Sequence, residues 1–141
     1  MKNWRLLFLM LAVTLALGGC GLVAKEPELS PQEVVTKFYR WHIGYPGNPL
    51  VDRAYRDSPY LSDSFVQDVD DVVEGGFRAD PILLAQDIPD RFTVEGAETM
   101  DGEAVVTVYF YFGENGAPVE RTVELELMDG AWKITDVSME P

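Results

Sequence analysis

The sequence predicts an α+β domain in which N-terminal helices pack on a four-stranded antiparallel meander sheet. Residues 30–76 contain two stretches with apolar side chains at helical spacing. The C-terminal third instead contains runs that alternate between apolar and polar side chains, separated by turn dipeptides. A meander sheet with one apolar face must bury that face, and the preceding helices can cover it. Helices packed on one face of an antiparallel sheet form the α+β arrangement.

The first helix is predicted to begin at Ser30-Pro31-Gln32-Glu33, a capping box with proline at the first helical position. The helix is expected to end at Gly44, before the proline-rich stretch 45–49. Helical spacing predicts one aromatic-rich face with three flanking side chains: Val34, Phe38, Trp41 and Tyr45, flanked by Val35, Tyr39 and His42.

A second helix of about three turns is predicted within the apolar pattern from Leu61 to the Gly75-Gly76 pair, with Ser62 or Asp63 as its cap. Its apolar face comprises Leu61, Phe65, Val66, Val69, Val72 and Val73. The acids between these residues do not have the spacing of a calcium-binding loop and are interpreted as a solvated face. Between the helices, residues 50–55 predict a short helical piece, and residues 77–90 predict an irregular connection with an apolar patch at 82–85.

Three dipeptides of the kind that supports positive φ in hairpins divide the C-terminal part of the chain: Asp101-Gly102, Asn115-Gly116 and Asp129-Gly130. They predict four strands, three of them at 104–112, 119–128 and 132–137. The expected buried side chains are Ala104, Val106, Val108, Phe110 and Phe112, then Val119, Val123, Leu125 and Leu127, then Trp132 and Ile134.

The N-terminus has the layout of a secretory signal, with Lys2 and Arg5 before an apolar run from residue 6 to 17. The run is too short for a transmembrane helix, which needs roughly 20 apolar residues. Leu17-Gly18-Gly19-Cys20 resembles the lipobox of bacterial lipoproteins, in which the cysteine receives a diacylglycerol thioether. The expected organisation is a signal peptide at 1–19, a lipidated tether at 20–29 and one domain at 30–141.

The resemblance implies a protein anchored by acylated Cys20 on the extracytoplasmic side of a membrane of the bacterial cell envelope. Cys20 is the only cysteine, so no intramolecular disulfide can form. Cleavage before Cys20 would leave nine basic and 24 acidic residues, a net charge of −15. Such a charge repels phosphate backbones and anionic head groups, which argues against nucleic acid as a partner and leaves the lipid as the expected bilayer contact.

Several segments also resemble the nuclear transport factor 2-like superfamily and, within it, uncharacterised bacterial lipoproteins. The resemblance lies in the first-helix residues 34–41, in Tyr60-Leu61-Ser62, in Asp80-Pro81 with Gln86-Asp87, and in the final strand at 132–137. It implies a cone-shaped fold with a pocket between the sheet and the helices. Members of the superfamily use that pocket for ligand binding, for catalysis or for neither.

His42 is the only histidine, which excludes a multi-histidine metal site. As a general base it would need a carboxylate to orient it, and Asp80 and Asp87 are the candidates, because the superfamily includes enzymes with a histidine–aspartate pair. The alternative is a packing histidine, with aspartates that only form turns. Ligand-binding candidates are Tyr39, Trp41, His42, Gln86, Tyr109 and Tyr111, although aromatic residues at these spacings are also typical of a core.

The chain contains no glycine-rich phosphate loop, and nothing in it calls for a cofactor or a metal. The leading hypothesis is therefore a membrane-anchored lipoprotein that binds a small ligand, a cell-wall fragment or an envelope protein. The second is an isomerase, dehydratase or hydrolase that uses a His–Asp acid–base pair in the pocket. The third is a purely structural domain.

Overall fold

The computed structural model describes residues 27–139. The predicted signal peptide, Cys20 and most of the tether lie outside these residues. The elements are α1 (Pro31–Ile43), a 3₁₀ turn (Ala54–Asp57), α2 (Asp63–Gly75), β1 (Arg91–Met100), β2 (Glu103–Tyr111), β3 (Val119–Met128) and β4 (Ala131–Ser138). The strands form one antiparallel sheet in the order β1-β2-β3-β4, and both helices pack on it. The predicted α+β class is confirmed.

Helix α1 begins as predicted and buries five of the seven residues of the predicted face and its flanks. The Ser30 hydroxyl accepts a hydrogen bond from the Glu33 amide, and the Glu33 carboxylate accepts one from the Ser30 amide at 2.8 Å. The buried residues are Pro31, Val34, Val35, Phe38, Tyr39 and His42. Trp41 and Tyr45 are only half-buried, because they lie at the side of the helix that faces the 3₁₀ turn rather than the sheet.

Helix α2 begins at Asp63, and the Ser62 hydroxyl, one of the two predicted caps, accepts from the Phe65 amide at 3.1 Å. It packs chiefly against β4 among the strands, whereas α1 lies across β1, β2 and β4. Only Phe65 and Val69 of α2 are therefore buried, and Val72 is 44% exposed.

The acidic face of α2 is exposed as predicted except at Asp70, which is half-buried. Asp70 accepts hydrogen bonds from the Tyr55 hydroxyl and from Arg56 Nε, the latter at 2.8 Å. These bonds attach the 3₁₀ turn to α2, and they lower the pKa of the Asp70 carboxyl, Arg56 contributing most. The predicted helical piece at 50–55 is a turn followed by this single 3₁₀ turn.

Two of the three predicted hairpin turns are present, and the middle one is wrong. Asp101-Gly102 and Asp129-Gly130 both have positive φ at both residues, as the tight turns of twisted hairpins require. The Asn115-Gly116 pair instead lies within a longer connection, residues 112–118, between β2 and β3. Pro118 immediately precedes β3, and because proline has no amide hydrogen it cannot extend the ladder toward a two-residue turn.

The inner face of the sheet, which faces the helices, is filled with side chains. Val106, Val108 and Phe110 of β2 are 0% exposed, as are Phe38 and Tyr39 of α1. A bulge at Thr135, between the pairs Glu124↔Asp136 and Leu125↔Ile134, brings Val137 to the same inner face. The five side chains of β2 and α1 are closed to solvent.

No helix within residues 27–139 is both long and apolar enough to cross a membrane.

Candidate functional site

The segment 80–85 lies between α1 and β3 and organises the polar contacts of the interior. Its ends pair with each other, since the Asp80 amide donates to the Ala85 carbonyl at 2.8 Å. Between them, Ile82 and Leu83 are 0% and 2% exposed. The apolar patch predicted at 82–85 is therefore buried at its first two residues, and Leu84 and Ala85 are half-buried.

Asp80 is bonded through both carboxylate oxygens. Oδ1 accepts from the amides of Ile82 and Leu83 at 2.7 and 3.0 Å, and Oδ2 accepts from His42 Nε2 at 2.8 Å. A carboxylate can only accept, so Nε2 carries the hydrogen of this bond. The sequence left two alternative roles for Asp80, forming a turn and orienting His42. The Asp80 carboxylate has both roles.

The other ring nitrogen of His42 is enclosed. Nδ1 is buried and has no hydrogen-bond partner among residues 27–139. The imidazole lies beside the rings of Phe38 and Trp41, with centroid separations of 5.7 and 6.1 Å. In a histidine–aspartate pair the nitrogen away from the carboxylate is the one that exchanges a proton with substrate. Here that nitrogen does not reach solvent.

Arg121 is the site residue that the sequence reasoning missed. It lies on β3 opposite Val108 and is 6% exposed. Its Nε donates to the Leu83 carbonyl at 3.1 Å, and its Nη2 donates to the Leu84 carbonyl at 2.8 Å. Burial lowers the pKa of this guanidinium. The sequence did contain one signal for this role. Side chains alternate between the two faces of a strand, so Arg121 lies on the same inner face as Val119 and Val123.

Two further details show how tightly the segment is held. The Tyr39 hydroxyl donates to the Ile82 carbonyl at 3.2 Å, and burial raises the pKa of this phenol, so it is a neutral donor. Leu84 has a φ of 50°, a left-handed conformation that costs a side-chain-bearing residue roughly 1–2 kcal/mol. In this conformation the Leu84 carbonyl accepts the hydrogen bond from Arg121 Nη2. Bonds from both α1 and β3 thus converge on 80–85.

A small cleft of about 130 Å³ lies at the solvent side of the His42–Asp80 pair. Gln86 and Asp87 line it and are exposed, and Arg78 lies on it as well. Of the two candidate carboxylates, Asp80 is therefore the partner of His42, and no hydrogen bond joins Asp87 to the pair. Within the described part of the chain, no cluster of three or more potential ligands could hold a metal ion.

The six ligand-binding candidates do not share one pocket. His42 and Gln86 line the cleft, Tyr39 is inside the core and Trp41 lies elsewhere on α1. Tyr109 and Tyr111 alternate with the buried residues of β2 and so project from the opposite, outer face of the sheet. There the Arg91 guanidinium lies 3.5 Å from the centroid of the Tyr111 ring.

An open groove of about 770 Å³ runs along the outer side of α1 and is here called the α1 groove. Its residues are Lys37, Arg40, Trp41 and Tyr45 from the helix and its end, and Ala54, Asp57, Ser58, Pro59 and Tyr60 from the segment after it. The Trp41 and Tyr45 rings meet edge to face at 5.8 Å. The groove thus combines aromatic walls with two cationic side chains.

No protein-family model matches this chain, and no curated protein matches it. Solved structures do. A chain of the type VI native effector–immunity complex Tae3–Tai3 from Ralstonia pickettii has a TM-score of 0.61 and 27% identity, covering 77% of this chain and 94% of that chain. A chain of the selenomethionine form of the same complex has a TM-score of 0.60 and 25% identity, covering 77% of this chain and 95% of that chain.

A protein of unknown function from Bacteroides thetaiotaomicron has a TM-score of 0.54 and 20% identity, covering 76% of this chain and 84% of its own. At that identity the likeness concerns the fold alone. The Ralstonia likeness extends over nearly the whole of the other chain, so the two domains correspond in extent as well as in fold.

We expect Asp80→Asn to lower the free energy of unfolding by about 1–3 kcal/mol, because the amide cannot accept from His42 while also serving the two backbone donors. Asp87→Asn is the matched control on the exposed rim of the same cleft and should change stability by less than about 0.5 kcal/mol. Urea denaturation of both variants tests this. Equal stability of the two variants would show that the Asp80 bonds do not hold the segment.

Proposed function

We propose that this chain is a lipid-anchored protein of the bacterial cell envelope whose domain binds another protein, as one member of an effector–immunity type of pair. The observation that carries the proposal is the 27% identity with a chain of an effector–immunity complex, over 94% of that chain. The lipobox-like Leu17-Gly18-Gly19-Cys20 supports the anchor.

The geometry of the interior supports binding at the surface rather than chemistry or ligand capture inside. On β2 the inner face of the sheet is occupied by buried side chains, whereas Phe92 and Val94 of β1 are half-buried, and the segment 80–85 packs beside them. The ionisable groups there, Asp80, Arg121 and Tyr39, are engaged in bonds to this segment. A protein that acts by binding a partner needs a rigid domain, and these bonds supply rigidity.

As part of the same proposal, we assign the domain to the nuclear transport factor 2-like superfamily. Support comes from the order of elements, with capped α1 first and the meander last, and from the bulges at Gly96 and Thr135 that add twist to the sheet. In this assignment the cone is a filled one, and the small cleft beside His42 is the remnant of its mouth.

A second candidate, an acid–base enzyme, is favoured by one observation, the 2.8 Å contact of His42 with Asp80 beside a cleft. It requires Nδ1 of His42 to meet substrate, whereas that atom is buried. The two candidates differ in what His42→Gln does. A binding protein that stays folded keeps its partner affinity, and an enzyme loses turnover.

The anchor is tested by Cys20→Ser in the full chain. The variant should move from the membrane fraction to the soluble extracytoplasmic fraction, because no thiol remains to carry the lipid and the acidic domain is repelled by anionic head groups. Fractionation with immunoblotting measures this, and Gly21→Ala serves as the neighbouring control. Membrane retention of Cys20→Ser would contradict lipid anchoring.

The partner is tested with the tagged full chain in its own cells. A membrane-impermeant crosslinker followed by detergent capture should yield one protein in a saturable, stoichiometric complex, and that protein, once purified, should raise the melting temperature of this chain. Soluble cell-wall fragments should leave the melting temperature unchanged. A thermal shift with the fragments and no crosslinked protein would contradict the proposal and favour a small ligand.

A further inference from the structure

The cationic side chains of this acidic protein are mostly committed to internal contacts. Five of those in residues 27–139 are engaged: Arg53 and Arg56 with acids of α2, Arg91 with Tyr111, Arg121 with carbonyls and Lys133 with the Pro59 carbonyl. The side chains of Lys37, Arg40 and Arg78 form no ion pair or hydrogen bond with another described residue. Hydrogen bonds from Ser30 lower the pKa of the Glu33 carboxyl most, and the charge of Lys37 beside it lowers that pKa further. Two of these three, Lys37 and Arg40, lie in the α1 groove.

The groove pairs these charges with apolar surface. Trp41, Tyr45 and Tyr60 are half-buried along it, so their rings are fixed on one side by the fold and open on the other. Aromatic rings held in this way offer large contact area with little loss of side-chain entropy. Asp57 also lines the groove, and the lining still carries one net positive charge in a chain whose formal charge is −13.

We infer that the α1 groove is the docking site for an acidic segment of the protein partner, with carboxylates on Lys37 and Arg40 and an apolar side chain against Trp41 and Tyr45. This inference rests on the proposed function. Charge complementarity selects the occupant, since an anionic segment is repelled by the rest of this surface and attracted only where free cations cluster.

The shape of the site selects a chain segment over a bilayer. Membrane-surface proteins insert aromatic side chains that protrude into the headgroup region. Here the rings of Trp41, Tyr45 and Tyr60 are half-buried and line an open groove of about 770 Å³ rather than protruding from the surface. A flat lipid surface does not reach such rings, whereas an extended peptide does.

The experiment measures fluorescence anisotropy of a labelled pentapeptide that alternates glutamate with phenylalanine and leucine, titrated with the full chain in nonionic detergent. The same peptide with glutamine for glutamate should bind about tenfold more weakly, because two exposed charge pairs are lost. The double variant Lys37→Glu/Arg40→Glu should bind the acidic peptide at least tenfold more weakly and should bind the glutamine peptide with unchanged affinity.

The matched control is Arg78→Glu, which reverses the charge of the third uncommitted cation. Arg78 lies outside the groove, so this variant should bind both peptides with unchanged affinity. Trp41→Ala should weaken both peptides. Equal binding of the two peptides to the unaltered chain, or an equal loss in Arg78→Glu, would overturn the inference. It would also be overturned if the double variant lost binding only to phosphatidylglycerol vesicles, which would identify a bilayer surface.

The peptide experiment separates this inference from the proposed function on which it rests. If the crosslinked partner binds Lys37→Glu/Arg40→Glu as tightly as the unaltered chain, the groove is the wrong surface and the partner-binding function stands. If no partner is found while the acidic peptide still binds through Lys37 and Arg40, the groove is a real site and the effector–immunity assignment is wrong.

Discussion

The structure depends on how the segment 80–85 is held against the inner side of the sheet. Three side chains supply the bonds: Asp80 from within the segment, Tyr39 from α1 and Arg121 from β3, with His42 attached to Asp80. Because Ile82 and Leu83 fill the space that these bonds enclose, the position of α1 relative to the sheet and the closure of the core are set together. Arg121 depends most on this arrangement, since a buried guanidinium is tolerated only while carbonyl oxygens surround it.

That arrangement determines where function can lie. A histidine–aspartate contact suggests catalysis when seen alone, yet here Asp80 has no free oxygen and the second nitrogen of His42 is enclosed. The polar groups of the interior hold the fold, and the groups left uncommitted are on the outside. The α1 groove concentrates two of them beside aromatic rings, which is the combination that protein-binding surfaces favour.

Local signals in the sequence predicted most of the elements. The capping box at Ser30 and the turns at Asp101 and Asp129 each depend on a few neighbouring residues, so they could be identified without tertiary information. The prediction of a two-residue turn at Asn115-Gly116 was wrong because the β2–β3 ladder ends at the pair Phe110↔Val119. Pro118 cannot extend that ladder, so the connection is longer than the dipeptide. Spacing also placed Trp41 on the buried face of α1 with Phe38, since both side chains are aromatic and only packing distinguishes them.

The site was less predictable than the fold. His42 and Asp80 were both candidates, and their pairing follows from the segment 80–85 folding back on α1, a long-range event that spacing does not encode. Arg121 is a charged residue on an inner face, and its role depends on the carbonyls of Leu83 and Leu84, which only the tertiary fold brings within reach of the guanidinium. The α1 groove combines residues of α1 with those after the 3₁₀ turn, which the sequence predicted as separate elements.

The central claim is that the inner face of the sheet is filled, so that binding takes place on the outer surface. Xenon enters empty apolar cavities, and methyl spectra recorded under xenon pressure report its position. The methyl resonances of Val106, Val108 and Leu125 should show no saturable shift in the unaltered chain and a clear one in Ile82→Ala, which opens a cavity. A saturable shift at these methyls without the substitution would contradict the account.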